Sequence, residues 1–146
     1  MMRSRFALAT VLVLFGCAAM PQRPWNVEIT TSGGFTGRGN GGIRIDSDGT
    51  ITVTAFGGGR CSFKATAEEL KQFESVLAQA RPEAWRESYA PENKCCDRIE
   101  YVLTLTIVDK KYTTSWIDAP QPMPKDLTAL IEALQKLKQR CRPEPR

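Results

Sequence analysis

The chain has 146 residues, 42% of them apolar and 8% aromatic, which suffices for one domain with a modest core and is too short for several. Its 20 basic residues against 16 acidic ones leave a formal charge of +4, far from the concentrated basic face that a phosphate backbone requires, so no nucleic acid partner is expected. Histidine is absent, which removes the commonest general base, the usual partner of a nucleophilic serine or cysteine, and the commonest zinc ligand; the chain reads as a non-enzyme, with no catalytic residue, metal or cofactor expected.

Residues 1–16 have the plan of a signal peptide. Arg3 and Arg5 form a positive start, and Phe6 to Phe15 (FALATVLVLF) is an uncharged apolar run, about half the roughly 20 residues that a spanning helix needs. Leu14-Phe15-Gly16-Cys17 then reads as a lipobox, with an aliphatic residue three before the cysteine, a small residue one before, and the thiol that accepts a diacylglyceryl group. Cys17 is therefore expected to be the lipidated first residue of the mature protein, residues 17–24 its tether, and residues 25–146 a single domain. The alternative is an ordinary secretory signal cut near Cys17-Ala18-Ala19, giving a secreted protein. Each buried methylene contributes about 0.8 kcal/mol, so a Cys17 bearing two or three acyl chains, palmitate among them, holds the chain on a membrane. Ala18 supplies no acidic inner-membrane retention signal, which favours an outer-membrane lipoprotein facing the periplasm. Removal of residues 1–16 takes away two basic residues and no acidic one, so the mature chain carries +2.

Four cysteines remain: Cys61, Cys95, Cys96 and Cys141. An even number in an exported chain suggests two disulfides, with three possible connectivities. An adjacent Cys95 to Cys96 bond would be strained, so each is expected to bond one of Cys61 and Cys141, in an order that remains open. A four-thiolate zinc site fits less well, because such sites show two spaced C-x(2 to 4)-C knuckles and the close pair here has no spacer.

In chain order, Trp25, Val27, Ile29 and Thr31 alternate with polar residues, the period of a half-buried strand. Ser32 to Gly42 (SGGFTGRGNGG) is a glycine-rich loop, after which Ile43 to Ile45 and Ile51 to Ala55 resume the alternation around an Asp48-Gly49 turn. Gly57 to Gly59 breaks the chain again before a short extended piece with Cys61 and Phe63. Thr66 and Glu69 have capping-box spacing and open a helix with Leu70, Phe73, Leu77 and Ala80 on one face, ended by Pro82. Glu83 to Asp97 is a long polar connection, with Trp85 and Tyr89 packing down. Arg98 to Asp109 and Tyr112 to Ile117 form an antiparallel hairpin. Lys125 to Arg140 is a second helix with Leu127, Leu130, Ile131, Leu134 and Leu137 inward, and Cys141 continues that stripe. The expected class is α+β: an antiparallel sheet of four to six strands with two helices packed on one face.

Few motifs carry chemistry. Gly37, Gly39 and Gly42 match the G-x-G-x-x-G dinucleotide fingerprint, but a strand follows where the phosphate-binding helix should begin. Asp46 to Gly49 resembles the start of a calcium loop without the later ligands, and a hairpin turn is the expectation. Glu68 with Glu69, and Glu83 with Glu87, read as solvated acidic faces. Trp85, Trp116 and Tyr112 read as packing residues. The Ser32 to Gly42 loop is the one segment of unusual length and composition, and Phe35 and Arg38 are the side chains it presents. Aromatic and Arg anchors suit a partner-binding loop, and a mobile spacer is the other account of it.

The stretch Val27-Glu28-Ile29-Thr30-Thr31-Ser32-Gly33-Gly34-Phe35-Thr36-Gly37 resembles the opening of emfourin-like proteins, in which a first strand ends in an S-G-G-F-x-G turn. The resemblance continues through the helix at Ala67 to Ala80, the strand Tyr101 to Ile107 with its charged turn, and the proline-led last helix. It implies a domain that binds thermolysin-like zinc metallopeptidases as an inhibitor, with no catalysis of its own and no inhibitory residue that can be carried onto positions here. The chain departs from the family in its lipoprotein signal, four further cysteines, longer glycine loop and Glu83 to Asp97 insertion. The expected function is an exported, membrane-anchored peptidase inhibitor; the alternative is an envelope structural or protein-binding module that inhibits nothing.

Overall fold

The computed structural model describes residues 23–92, 97–118 and 120–141. The signal peptide, Cys17, Cys95 and Cys96 lie outside them. Six strands form one antiparallel sheet: β1 (Trp25–Gly33), β2 (Gly42–Asp46), β3 (Thr50–Thr54), β4 (Arg60–Lys64), β5 (Ile99–Ile107) and β6 (Lys110–Ile117), in the order β4-β3-β2-β1-β5-β6. Two helices, α1 (Ala67–Leu77) and α2 (Lys125–Lys138), complete the α+β fold.

The alternation decides which face is covered. Val27 sits opposite Ile45 on one side and Leu105 on the other, and Ile29 opposite Ile43 and Leu103. Ile51 and Val53 extend the same face across β3. All eight are buried, whereas Glu28, Arg44, Thr52 and Thr104, their neighbours along the strands, occupy the opposite, polar face. The β2–β3 turn closes by Gly49 N–H donating to the Asp46 carbonyl at 2.8 Å, with Gly49 at φ +81°. Asp46 to Gly49 is thus the hairpin turn expected.

The two helices contribute unequally. α2 buries Leu127, Leu130, Leu134 and Leu137, each contributing about 2 kcal/mol on full burial, and is the helix on which the core is built. α1 fully buries only Phe73, which stacks on Trp25 with ring centroids 5.6 Å apart. Leu70 and Leu77 are only partly buried, and the helix stops at Leu77 rather than running to Ala80. Its ends are defined locally: the Thr66 hydroxyl accepts from Glu69 N–H at 3.2 Å, and the Glu69 carboxylate accepts from Thr66 N–H at 2.8 Å. That capping box holds the Glu69 carboxyl below its usual range.

Within the described part of the Glu83 to Asp97 connection, residues 86–90 bond to the sheet. Ser88 forms a parallel bridge with Ser115 of β6, Tyr89 N–H donates to the Ser115 carbonyl at 2.8 Å, and Ser115 N–H donates to the Glu87 carbonyl at 2.9 Å. The hydroxyl of fully buried Thr114 donates to the Arg86 carbonyl at 2.8 Å. The segment therefore covers the β6 edge and buries Tyr89 in doing so. Trp85 is fastened from the other side, its indole Nε1–H donating to Asp126 at 2.9 Å beside Arg81 N–H at 2.8 Å. Burial pushes the Asp126 carboxyl up, yet these donors and the amides of the first α2 turn outweigh it and leave its pKa lowered. Among the described residues no strand pairs with the opposite edge, β4, which is guarded by Arg60 and Lys64, charges that discourage strand addition.

Among the described residues a disulfide joins Cys61 in β4 to Cys141, just beyond α2. This corrects the expected connectivity, in which each of Cys61 and Cys141 would bond one of Cys95 and Cys96. The strand order brings β4 under the end of α2, and Arg140 reinforces the junction, its guanidinium 4.7 Å above the Phe63 ring and paired with Glu69.

Candidate functional site

Two glycine-rich connections meet at one end of the sheet. β1 runs into residues 34–41 at Gly33, and β3 runs into residues 55–59 at Thr54; Gly42, the first residue of β2, pairs with Thr54, so the connections are neighbours. The chain enters the sheet at Trp25, eight residues earlier, so this tip lies roughly 26 Å along β1 from where a tether would attach.

The loop at 34–41 has defined internal structure. Gly34 N–H donates to the Arg98 carbonyl at 3.0 Å, Gly37 N–H to the Gly34 carbonyl at 3.0 Å, and Gly39 N–H to the Gly33 carbonyl at 2.9 Å. The Thr31 hydroxyl accepts from Asn40 N–H at 2.7 Å and donates to the Gly41 carbonyl. Gly39 has φ +63°, and a Cβ there would lie 2.5 Å from the Thr31 carbonyl carbon. Only glycine fits that position without moving backbone. The loop is thus a hydrogen-bonded turn. The Gly37, Gly39 and Gly42 match ends in β2, so no helix terminus follows it.

The turn displays side chains without burying them. Phe35 is 93% exposed, and Arg38 is exposed beside it. On the facing connection Phe56 is 52% exposed, and together with Phe35 and Ile99 it lines a hollow of about 240 Å³. Phe56 was not among the residues singled out by sequence, although Phe56-Gly57-Gly58 mirrors Gly33-Gly34-Phe35 as an aromatic beside paired glycines. Arg60, the first residue of β4, was missed as well, because a lone arginine at a strand start has no pattern.

Between the two connections lies a larger concavity of about 630 Å³ over the polar face of the sheet, with Arg38, Arg44 and Arg60 among the residues that line it. Arg44 Nη2 reaches Asp46 Oδ1 at 2.6 Å, its Nε reaches both Asp46 oxygens at 3.1 Å, and Glu28 lies 3.9 Å from Nη1. The Asp46 hydrogen bonds outweigh partial burial and raise the Arg44 pKa, fixing it as a cation. Among the described residues neither Arg38 nor Arg60 meets a carboxylate.

Elsewhere, Trp116 is buried and stacks on Tyr101 at 5.4 Å, while Trp85 and Tyr112 are half-buried against the core, as packing residues should be. Glu69 serves the α1 cap, and Glu83 accepts from the Tyr112 hydroxyl at 2.8 Å. Among the described residues no three His, Cys, Asp or Glu side chains converge as metal ligands do, and no helix is long and apolar enough to cross a membrane. Neither a family model nor a curated protein matches the chain.

Proposed function

We propose that this chain is an exported lipoprotein with a non-catalytic domain, and that it binds a protein partner through the glycine-held tip. An envelope or secreted metallopeptidase of the thermolysin type is the partner to which the emfourin-like turn sequence points. The observation that carries the reading is Phe35, 93% exposed on a turn that is itself hydrogen-bonded in place. Burying a phenylalanine side chain is worth about 2 kcal/mol, and the fold forgoes that gain at this position. A preformed turn loses little entropy on docking, so most of the contact energy remains available for affinity. The 26 Å separation of tip from tether suits the role, since acyl chains on Cys17 would hold the Trp25 end to the membrane and leave the tip facing outward.

Two measurements test the reading. In cells, the wild-type chain is expected in the membrane pellet and Cys17→Ser in the soluble fraction; equal partition of the two ends the lipoprotein assignment. With purified, oxidised residues 21–146, stoichiometric inhibition of a thermolysin-type peptidase is expected, weakened about tenfold by Phe35→Ala. No inhibition at micromolar excess would remove peptidases as the partner and leave the envelope protein-binding alternative. Inhibition indifferent to Phe35→Ala would remove the tip.

A further inference from the structure

The concavity beside the exposed aromatics has a charge arrangement that the tip reading does not use. Three guanidinium groups border it, and they are not equivalent. Arg44 is committed to Asp46 and Glu28. Arg38 and Arg60, which also line it, are both exposed, and neither has a carboxylate partner among the described residues. An exposed arginine without a partner is ordinary. Two lining one concavity, beside a third whose charge is already met by Asp46 and Glu28, leave it with an excess of positive charge that favours an anion.

The setting favours one kind of anion. Arg38 bridges Gly33 from the β2 side of β1, and Arg60 pairs with Thr54, level with Thr30, so their backbones stand two strand spacings apart across the sheet and about three residues apart along it, roughly 14 Å. Across that span each guanidinium can take a carboxylate of its own. An extended peptide sets alternate side chains about 6.8 Å apart on one face, which matches two carboxylates in an acid-x-acid sequence. Thr52 and Thr54 also line the concavity, and their hydroxyls suit a polar main chain. The tether side of the domain is some 26 Å away, so headgroups of the anchoring membrane are poorly placed to fill the site.

We propose that the concavity lined by Arg38 and Arg60 binds an acidic extended segment of a protein partner, with one carboxylate on each arginine. The assignment deepens the tip reading and rests on it only for the partner being a protein. The test is fluorescence anisotropy of residues 21–146 with a labelled peptide containing Glu-Phe-Glu, against the same peptide with Gln in place of Glu and with inorganic phosphate as competitor. The Glu peptide is expected to bind at least about tenfold more tightly than the Gln peptide and to weaken as salt rises. Arg38→Ala and Arg60→Ala should each cost about tenfold in affinity. Both side chains are exposed, so the melting temperature should not move, which separates lost binding from lost folding. Equal affinity for the Gln peptide, indifference to both arginine substitutions, or displacement by phosphate at concentrations near that of the peptide would each overturn the site. Peptide binding without peptidase inhibition would leave this site standing and remove the peptidase; inhibition without peptide binding would do the reverse.

Discussion

Replacing Cys61 and Cys141 together by serine is expected to cost the oxidised domain about 4 kcal/mol, a fall of roughly 15 °C in melting temperature. The two residues are 80 apart in sequence, so the bond closes most of the described domain into one loop and removes a large share of the unfolded chain's freedom. It also acts at a vulnerable place. β4 is an edge of the sheet, five residues long, with alternate side chains exposed and only one neighbouring strand among the described residues. Its attachment to the helical layer runs through Cys61, and through Phe63 beneath Arg140. Reducing the wild-type protein should reproduce the loss, and mapping under non-reducing conditions should find the Cys61 and Cys141 peptides linked. A dominant link from Cys61 to Cys95 or Cys96, or a melting temperature unmoved by the double substitution, would refute the pairing.

The correct pairing could not be read from the sequence, and the reason is topological. The alternation at Val27 and Ile29, and at Leu103 and Leu105, identifies strands and their buried face, because a period of two has no other economical meaning. Thr66 with Glu69 marks where α1 begins, and the leucines of α2 mark its inner stripe, including the burial of Cys141. None of these local signals orders the strands. Which cysteine meets Cys141 depends on β4 lying outermost on the side where α2 ends, and that is a property of the assembled sheet. The covering of β6 was hidden for a related cause: a single parallel bridge at Ser88 and Ser115 imposes no periodicity on residues 86–90. Tyr89 gave a partial signal as an aromatic in a polar stretch, and its packing was anticipated from that alone.

The candidate site was half legible for the same reason. Phe35 and Arg38 stand out because their loop is long and glycine-rich, and compositional oddity is visible in one dimension. Phe56, on the other connection, and Arg60, at the start of β4, lie more than 15 residues away and join the site only because Gly42 pairs with Thr54. A paired aromatic beside paired glycines was a usable clue, but it acquires meaning only once the two turns are known to adjoin. The polar sheet face beneath them, with Arg44 fixed by Asp46, follows from the same alternation that buries Ile43 and Ile45.

Gly39→Ala tests whether the tip's preformed shape is what matters, and it is expected to cost about 3 kcal/mol in stability. Alanine at φ +63° bears the left-handed penalty of about 1 kcal/mol. The larger part comes from its Cβ, which would lie 2.5 Å from the Thr31 carbonyl carbon and 2.6 Å from the Thr31 hydroxyl oxygen. Backbone on both sides must then separate, and the hydrogen bonds from Asn40 N–H to Thr31 and from Gly39 N–H to Gly33 are stretched or lost. Gly37→Ala is the control, since it has a similar positive φ and no atom within 4 Å of the added carbon; it should bear only the conformational penalty. Chemical denaturation of the two variants should separate them by about 2 kcal/mol. Partner affinity should follow the same order, because Phe35 and Arg38 are carried by the turn that Gly39 closes. If Gly39→Ala is destabilised yet binds as tightly as the wild type, docking does not depend on a preformed turn, and Phe35 acts as a contact that the partner itself orders.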